Sequence, residues 1–313
     1  MFEARELGYT YPSGRSGVRG VTLAAGPGER VVAMGPNGSG KSTLLGLVAT
    51  ALPSSPEALR LFGEGHRAVP REVRRRLGVV QDEPVHVDAL TGLENARLFG
   101  ELYGLSSRTM EVVLTDLFAA FGLEQVRDVP VAEYSYGMRR KLLLVEALAH
   151  EPALLVLDEP TLALDPPSRA TLLTMLDERS RAGACTLVAT NEPALAQRLA
   201  TRVVFLSEGE VVAQGSTDEL LRKLHGTTRI EIHLTNDAPT DFTLAGVDVT
   251  HLPGRIVAES RAGADILPRL TDAVLRTGSR IARIDVREPD LGDVFTQLTG
   301  LDMREGGGEG VKT

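Results

Sequence analysis

The segment Gly35-Pro36-Asn37-Gly38-Ser39-Gly40-Lys41-Ser42 matches the phosphate-binding loop G-x-x-x-x-G-K-[ST] at every fixed position. Glycines there let main-chain N–H groups converge on phosphate oxygens, and a helix N-terminus adds a favourable dipole. Lys41 supplies a positive point charge for the β- and γ-phosphates, and the Ser42 hydroxyl is a hard oxygen ligand for Mg²⁺. Thr43 follows directly and is grouped with the loop's nucleotide-binding residues. A second constellation is Leu154-Leu155-Val156-Leu157-Asp158-Glu159, four apolar residues ending in two acids. A buried parallel strand delivers its C-terminal end to the ligand site of a doubly wound sheet. Asp158 is then placed to hold Mg²⁺ through water, and Glu159 to polarise an attacking water. Together the two segments define a site for a nucleoside triphosphate.

The elements around them alternate. Short strands are predicted at 2–7, 18–24 and 30–34, with turns at Pro12-Ser13-Gly14 and Gly26-Pro27-Gly28. A helix opens at Lys41 and breaks at Pro53-Ser54-Ser55-Pro56. Residues 70–81 read as a short basic helix and a strand, and 90–150 as a separate helical block. Strand and helix then alternate through 153–157, 167–182, 186–189, 193–200 and 203–206, predicting a mostly parallel sheet with helices on it. A small α+β unit is expected over 226–302, with strands at Ile230, Ile232, Leu234 and at Ile284, Val286, and a helix over 267–275. The first domain is therefore placed at 1–225, and the Gly- and Glu-rich end, 303–313, is expected to be a disordered tail.

Between the two acidic and phosphate anchors stands Tyr134-Ser135-Tyr136-Gly137-Met138, followed by Arg139-Arg140-Lys141, with Ser135 23 residues ahead of Asp158. In that order and separation the segment resembles the signature motif of ATP-binding cassette proteins. Tyr11 resembles the aromatic that stacks on adenine, Gln81 the Q-loop glutamine that reaches the metal, and Ala163-Leu164-Asp165 the D-loop. The resemblance covers about residues 2–220 and implies an α/β P-loop fold: a mixed sheet core, N-terminal antiparallel strands and an inserted helical subdomain. It implies ATP and Mg²⁺ as cofactors and two ATPase domains, identical or not, closing head to tail on two ATP molecules. Ser135 and the Gly137 N–H would then face the γ-phosphate across the interface. Arg139, Arg140 and Lys141 either add to that field or form a solvated basic turn. Glu288-Pro289-Asp290-Leu291-Gly292-Asp293-Val294-Phe295 resembles the tail of bacterial drug- and lipid-export ATPases of the daunorubicin-exporter type, and reads locally as a helix opening at Pro289.

Three positions depart from the family. Tyr136 stands where a small residue is usual and Met138 where Gln is usual. After Leu187-Val188-Ala189-Thr190, where the family has a switch histidine, this chain has Asn191. Asparagine forms hydrogen bonds without carrying charge. A charge-assisted bond exceeds a neutral one by roughly 1–2 kcal/mol, so hydrolysis is expected to be about ten- to a hundredfold slower rather than absent.

Composition narrows the partners. The net charge of −8 argues against a large nucleic-acid footprint, and no apolar run is long enough to span a bilayer. The first residues carry acids and no apolar stretch, so no signal peptide is expected, and the single Cys185 fits a reducing compartment and a small buried side chain. The histidines (His66, His86, His150, His225, His233 and His251) lack metal-ligand spacing. The Arg bias, 30 Arg to 4 Lys, suits a GC-rich bacterial genome. With these limits, the resemblance implies an export ATPase on the cytoplasmic face of the membrane, paired with a separately encoded transmembrane permease through residues 82–93. A soluble ATP-gated clamp or assembly factor, and a catalytically impaired half of a heterodimer, are the alternatives.

Overall fold

The computed structural model describes residues 1–65, 69–223, 228–235, 242–260 and 263–301. The expected boundary at Gly226, the tail 303–313, His66 and His225 lie outside the described residues. The chain divides into two compact units, Met1–Thr217 and Asp218–Leu301.

The first unit opens with β1 (Phe2–Thr10), β2 (Ser16–Ala25) and β3 (Arg30–Met34), then α1 (Lys41–Val48), β4 (Leu59–Leu61), β5 (Glu64–Gly65), α2 (Arg71–Arg74) and β6 (Leu77–Val80). Three longer helices follow, α3 (Gly92–Tyr103), α4 (Ser107–Ala120) and α5 (Tyr136–Leu148). Alternation resumes with β7 (Leu154–Asp158), α6 (Pro166–Arg181), β8 (Cys185–Thr190), α7 (Pro193–Leu199), β9 (Arg202–Ser207) and β10 (Glu210–Gly215). The main sheet runs β10-β9-β3-β8-β7-β6, parallel except for β10. A second, antiparallel sheet runs β2-β1-β4-β5. Every residue of β7 and β8 is buried, as strands covered on both faces must be. Leu44, Leu47 and Val48 of α1 pack into the same core as Val31, Val156 and Leu187. Cys185 is fully buried there, and burial pushes its thiol up to about 12. The helical subdomain is delimited by its caps. Thr91 forms a capping box with Glu94, and Ser106 and Ser135 cap the next two helices. Asn95 is fully buried on α3, where its side chain accepts from the Val87 N–H (2.9 Å) and donates to the carbonyls of Val87 and Thr91 (3.1 and 3.0 Å). Those bonds fix the turn that follows β6.

A short helix, α8 (Thr217–Lys223), spans the division between the units. The second unit contains β11 (Thr228–Leu234), β12 (Asp248–Leu252), β13 (Arg255–Ser260), α9 (Leu267–Arg276), β14 (Ile281–Arg287) and α10 (Leu291–Thr299). Its antiparallel sheet, β12-β13-β11-β14, contributes Ile230, Ile232, Ile256 and Ala258 to a core closed by Ile266, Leu270 and Val274. The helix expected to open at Pro289 opens instead at Leu291. Asp290 caps it, accepting from Gly292 N (2.8 Å) and Asp293 N (3.1 Å), and Asp293 completes a capping box. Among the described residues no helix is long and apolar enough to cross a membrane.

Candidate active site

The phosphate loop leaves the buried β3 and enters α1. Its backbone path needs glycine at two points. A Cβ on Gly35 would lie 2.1 Å from the Leu206 carbonyl oxygen, and one on Gly40, at φ 103°, would lie 2.5 Å from the Gly17 carbonyl oxygen. Gly40 is the N-cap of α1 and brings no side chain to the first-turn N–H groups, the arrangement that suits an anion. Lys41 Nζ donates to the carbonyls of Gly35 (2.6 Å) and Pro36 (3.0 Å), which hold the ammonium against the loop.

Across from it stand the two acids at the end of β7. Glu159 leaves the strand at φ 42°, with its N–H donating to the Ala189 carbonyl (3.0 Å). Its carboxylate accepts from Thr190 Oγ1 and from the Asn191 N–H, both at 3.1 Å. Asn191 Nδ2 in turn donates to Asn37 Oδ1 (3.0 Å), so the end of β8 touches both the acid and the phosphate loop. Burial raises the Asp158 and Glu159 carboxyls above their ordinary range, and it lowers Lys41 despite the two acids nearby. A polyphosphate bound with a divalent cation would supply the countercharges that these desolvated groups favour.

Tyr11, Asn37, Gly38, Gly40, Lys41, Ser42, Thr43, Asp158 and Glu159 line one cavity of about 180 Å³, so most of the residues expected from sequence come together. Gly35 and Pro36 serve through their carbonyls, and Ser39 is buried with its own carbonyl accepting from Gly209 N (2.9 Å). Tyr11 Oη is 2.9 Å from Thr43 Oγ1, and its ring meets Tyr9 edge-on at 5.0 Å. Gln81 lines an adjoining cavity of about 260 Å³ with Ser42 and Asp158. The Ser42 hydroxyl favours the ionised form of the Asp158 carboxylate, and a hydroxyl, a carboxylate and a side-chain amide lining one space offer the hard oxygen donors that Mg²⁺ requires. The residues present therefore fit that ion.

Ser135, Gly137 and Asp165 do not line this cavity. They form a second cluster at the start of α5. Ser135 Oγ accepts from Met138 N (3.2 Å), and a Cβ on Gly137 would lie 3.0 Å from the Ala163 carbonyl oxygen. Asp165 caps α6 and meets Lys141 Nζ at 2.5 Å; that ammonium, with Ser168, holds its carboxyl down at about 2. The side chains of Tyr136 and Leu162 stand exposed beside this cluster. The basic triplet is not a solvated turn. Lys141 binds Asp165, Arg139 binds Asp88 (2.7 Å), and Arg140 is only 1% exposed. Successive residues of a helix point about 100° apart, so each reaches a different segment.

Sequence reasoning missed Thr190, Asp82 and Arg15. Thr190 binds Glu159, while Asp82 and Arg15 line the cavity. Thr190 and Asp82 adjoin Asn191 and Gln81, which was the available signal, whereas Arg15 lies four positions beyond Tyr11. It also missed the buried pair His86 and Glu146, 3.2 Å apart, for which no spacing rule exists. Glu146 holds the His86 ring's pKa up against the opposing effect of burial.

This geometry defines a P-loop nucleotide-binding protein. The sequence profile described as ABC transporter matches residues 18–162. A daunorubicin resistance ATP-binding protein of Streptomyces coeruleorubidus is 34% identical over 90% of this chain and 89% of its own length. A Nod factor export ATP-binding protein of Sinorhizobium fredii is 33% identical over 89% of this chain and 80% of its own. A solved ATP-binding subunit of an ABC transporter superposes with a TM-score of 0.66 at 31% identity, covering 71% of this chain and 92% of that one. The chain belongs to the ABC transporter family, as one of its ATP-binding proteins.

Replacing Lys41 by Ala removes the positive charge held in the loop. Its MgATP affinity, measured by calorimetry, is expected to fall by roughly a hundredfold or more, from loss of a buried charge-assisted contact. Unchanged affinity would remove the phosphate-loop assignment.

Proposed function

We propose that this protein is the ATP-hydrolysing subunit of a bacterial export system, pairing with a second ATPase domain when ATP binds and driving a separately encoded transmembrane subunit. The observation that carries this reading is the extent of the likeness to the daunorubicin resistance relative. It covers 90% of the chain, far more than the nucleotide-binding unit alone, and so takes in much of the second unit as well. The resemblance of the segment around Glu288 to export-type tails points the same way.

In this reading Tyr11 stacks on adenine, the loop N–H groups and Lys41 hold the phosphates, and Ser42, Gln81 and Asp158 hold Mg²⁺. That ion supplies charge neutralisation on the phosphates. Glu159 orients the attacking water and accepts its proton on the carboxylate that Thr190 and Asn191 hold in place. Ser135 and Gly137, exposed or half-exposed and apart from their own chain's cavity, serve the ATP of the paired domain, with Asp165 beside them. Val85 and Val87, apolar and exposed on the stretch 82–93, offer the surface for the transmembrane partner. The protein then sits peripherally on the cytoplasmic face of the membrane. Affinity purification from detergent-solubilised native membranes tests this. A transmembrane protein should co-purify in stoichiometric amount. Recovery of the chain alone, from the soluble fraction, would favour a clamp without a membrane partner.

Asn191 is proposed to slow hydrolysis, because its neutral amide replaces a side chain able to carry charge toward the γ-phosphate. The Asn191→His variant should turn over ATP roughly tenfold faster with little change in nucleotide affinity, and should acquire a pH dependence near neutrality. Steady-state rates from pH 6 to 9, with the partner present, measure this. Equal or slower turnover would show that asparagine is not the handicap, and co-purification of a second, non-identical ATPase would favour an impaired half of a heterodimer.

A further inference from the structure

Arg140 lies in the first turns of α5, yet its side chain is almost wholly enclosed. One guanidinium nitrogen donates to the main-chain carbonyls of Gln81 (2.6 Å) and Asp82. The other donates to the carbonyls of Asp158 (3.2 Å) and Glu159 (2.6 Å). The planar fork thus joins three segments: the start of α5, the exit from β6 and the exit from β7.

Among the described residues no carboxylate lies within ion-pair distance of it, and its hydrogen bonds go to main-chain carbonyls. Burying an unneutralised guanidinium is costly, and an apolar side chain would brace the same space without that cost. What an apolar brace cannot do is grip four carbonyls at once. Those carbonyls belong to the two residues proposed as metal ligands, Gln81 and Asp158, to the proposed base, Glu159, and to Asp82.

We propose that Arg140 is a positioning residue of the ATPase site, fixing the Gln81–Asp82 turn and the Asp158–Glu159 turn in one register so that metal ligands and base converge. This rests on the ATPase reading above. Arg140 touches no substrate. It acts through the backbone of residues that do, and because it follows Ser135 on the same helix, that register is also tied to the signature cluster.

The test compares wild type, Arg140→Lys and Arg140→Gln in the full chain, by thermal unfolding, MgATP binding and ATP turnover titrated with Mg²⁺. Lysine keeps the charge but cannot reach four carbonyls in one plane, and glutamine loses the charge as well. For Arg140→Lys, kcat should fall about tenfold and half-saturating Mg²⁺ should rise several-fold, while ATP affinity stays within about threefold. Arg140→Gln should lose about tenfold more turnover in the same pattern. Turnover and Mg²⁺ dependence like wild type in both variants would overturn the proposal. So would a failure of both to fold, or a loss of ATP affinity parallel to the loss of rate, since either marks a merely structural residue. A wild-type protein that neither binds nor hydrolyses ATP would instead bring down the ATPase reading itself.

Discussion

The placement of three charges beyond the C-terminal ends of buried parallel strands is the constraint that the rest of the structure serves. Lys41, Asp158 and Glu159 are each pushed by burial toward their neutral forms. Holding them there requires rigid apolar surroundings, and the fully buried strands β7 and β8 provide these, with β3 buried beyond Arg30. Each buried Val or Leu contributes about 1.5–3 kcal/mol, so this core can offset a few desolvated charges. The positive φ of Glu159 and the close-packed Gly35 belong to the same arrangement, where the backbone turns sharply to present polar groups at a strand end.

The helix α5 extends that arrangement outward. Its N-terminal end carries Ser135 and Gly137, and successive residues on it reach Asp88, the carbonyls at the ends of β6 and β7, and Asp165. Further along, Glu146 meets His86, whose other ring nitrogen lies 3.0 Å from the Arg139 carbonyl. The stretch after Gln81 is thus tied to α5 at several points. A displacement of that stretch by a partner would be felt at the signature cluster and at the acids together.

Much of this was legible in the sequence, for identifiable reasons. The strand Arg30–Met34 was bounded by a turn on one side and the phosphate loop on the other, and it came out where expected. The five buried residues of β7 announced themselves as a continuous apolar run ending in acids. What escaped had weak local signals. The strands β4 and β5 are three and two residues long, and β12 and β13 carry polar residues that mask their alternation. The start of α10 was set by the Asp290 carboxylate rather than by the preceding proline. Arg140 could not be read as buried, because nothing in a run of three basic residues says which one turns inward. Only the helix phase and the carbonyls of two distant strand ends decide it.

The central claim is that the buried charges form a site for the phosphate tail of ATP, and wild-type calorimetry tests it most directly. With Mg²⁺ present, ATP should bind at one molecule per chain, and AMP, lacking the β- and γ-phosphates that face Lys41, should bind at least about a hundredfold more weakly. Equal affinity for ATP and AMP, or no binding of either, would contradict the account.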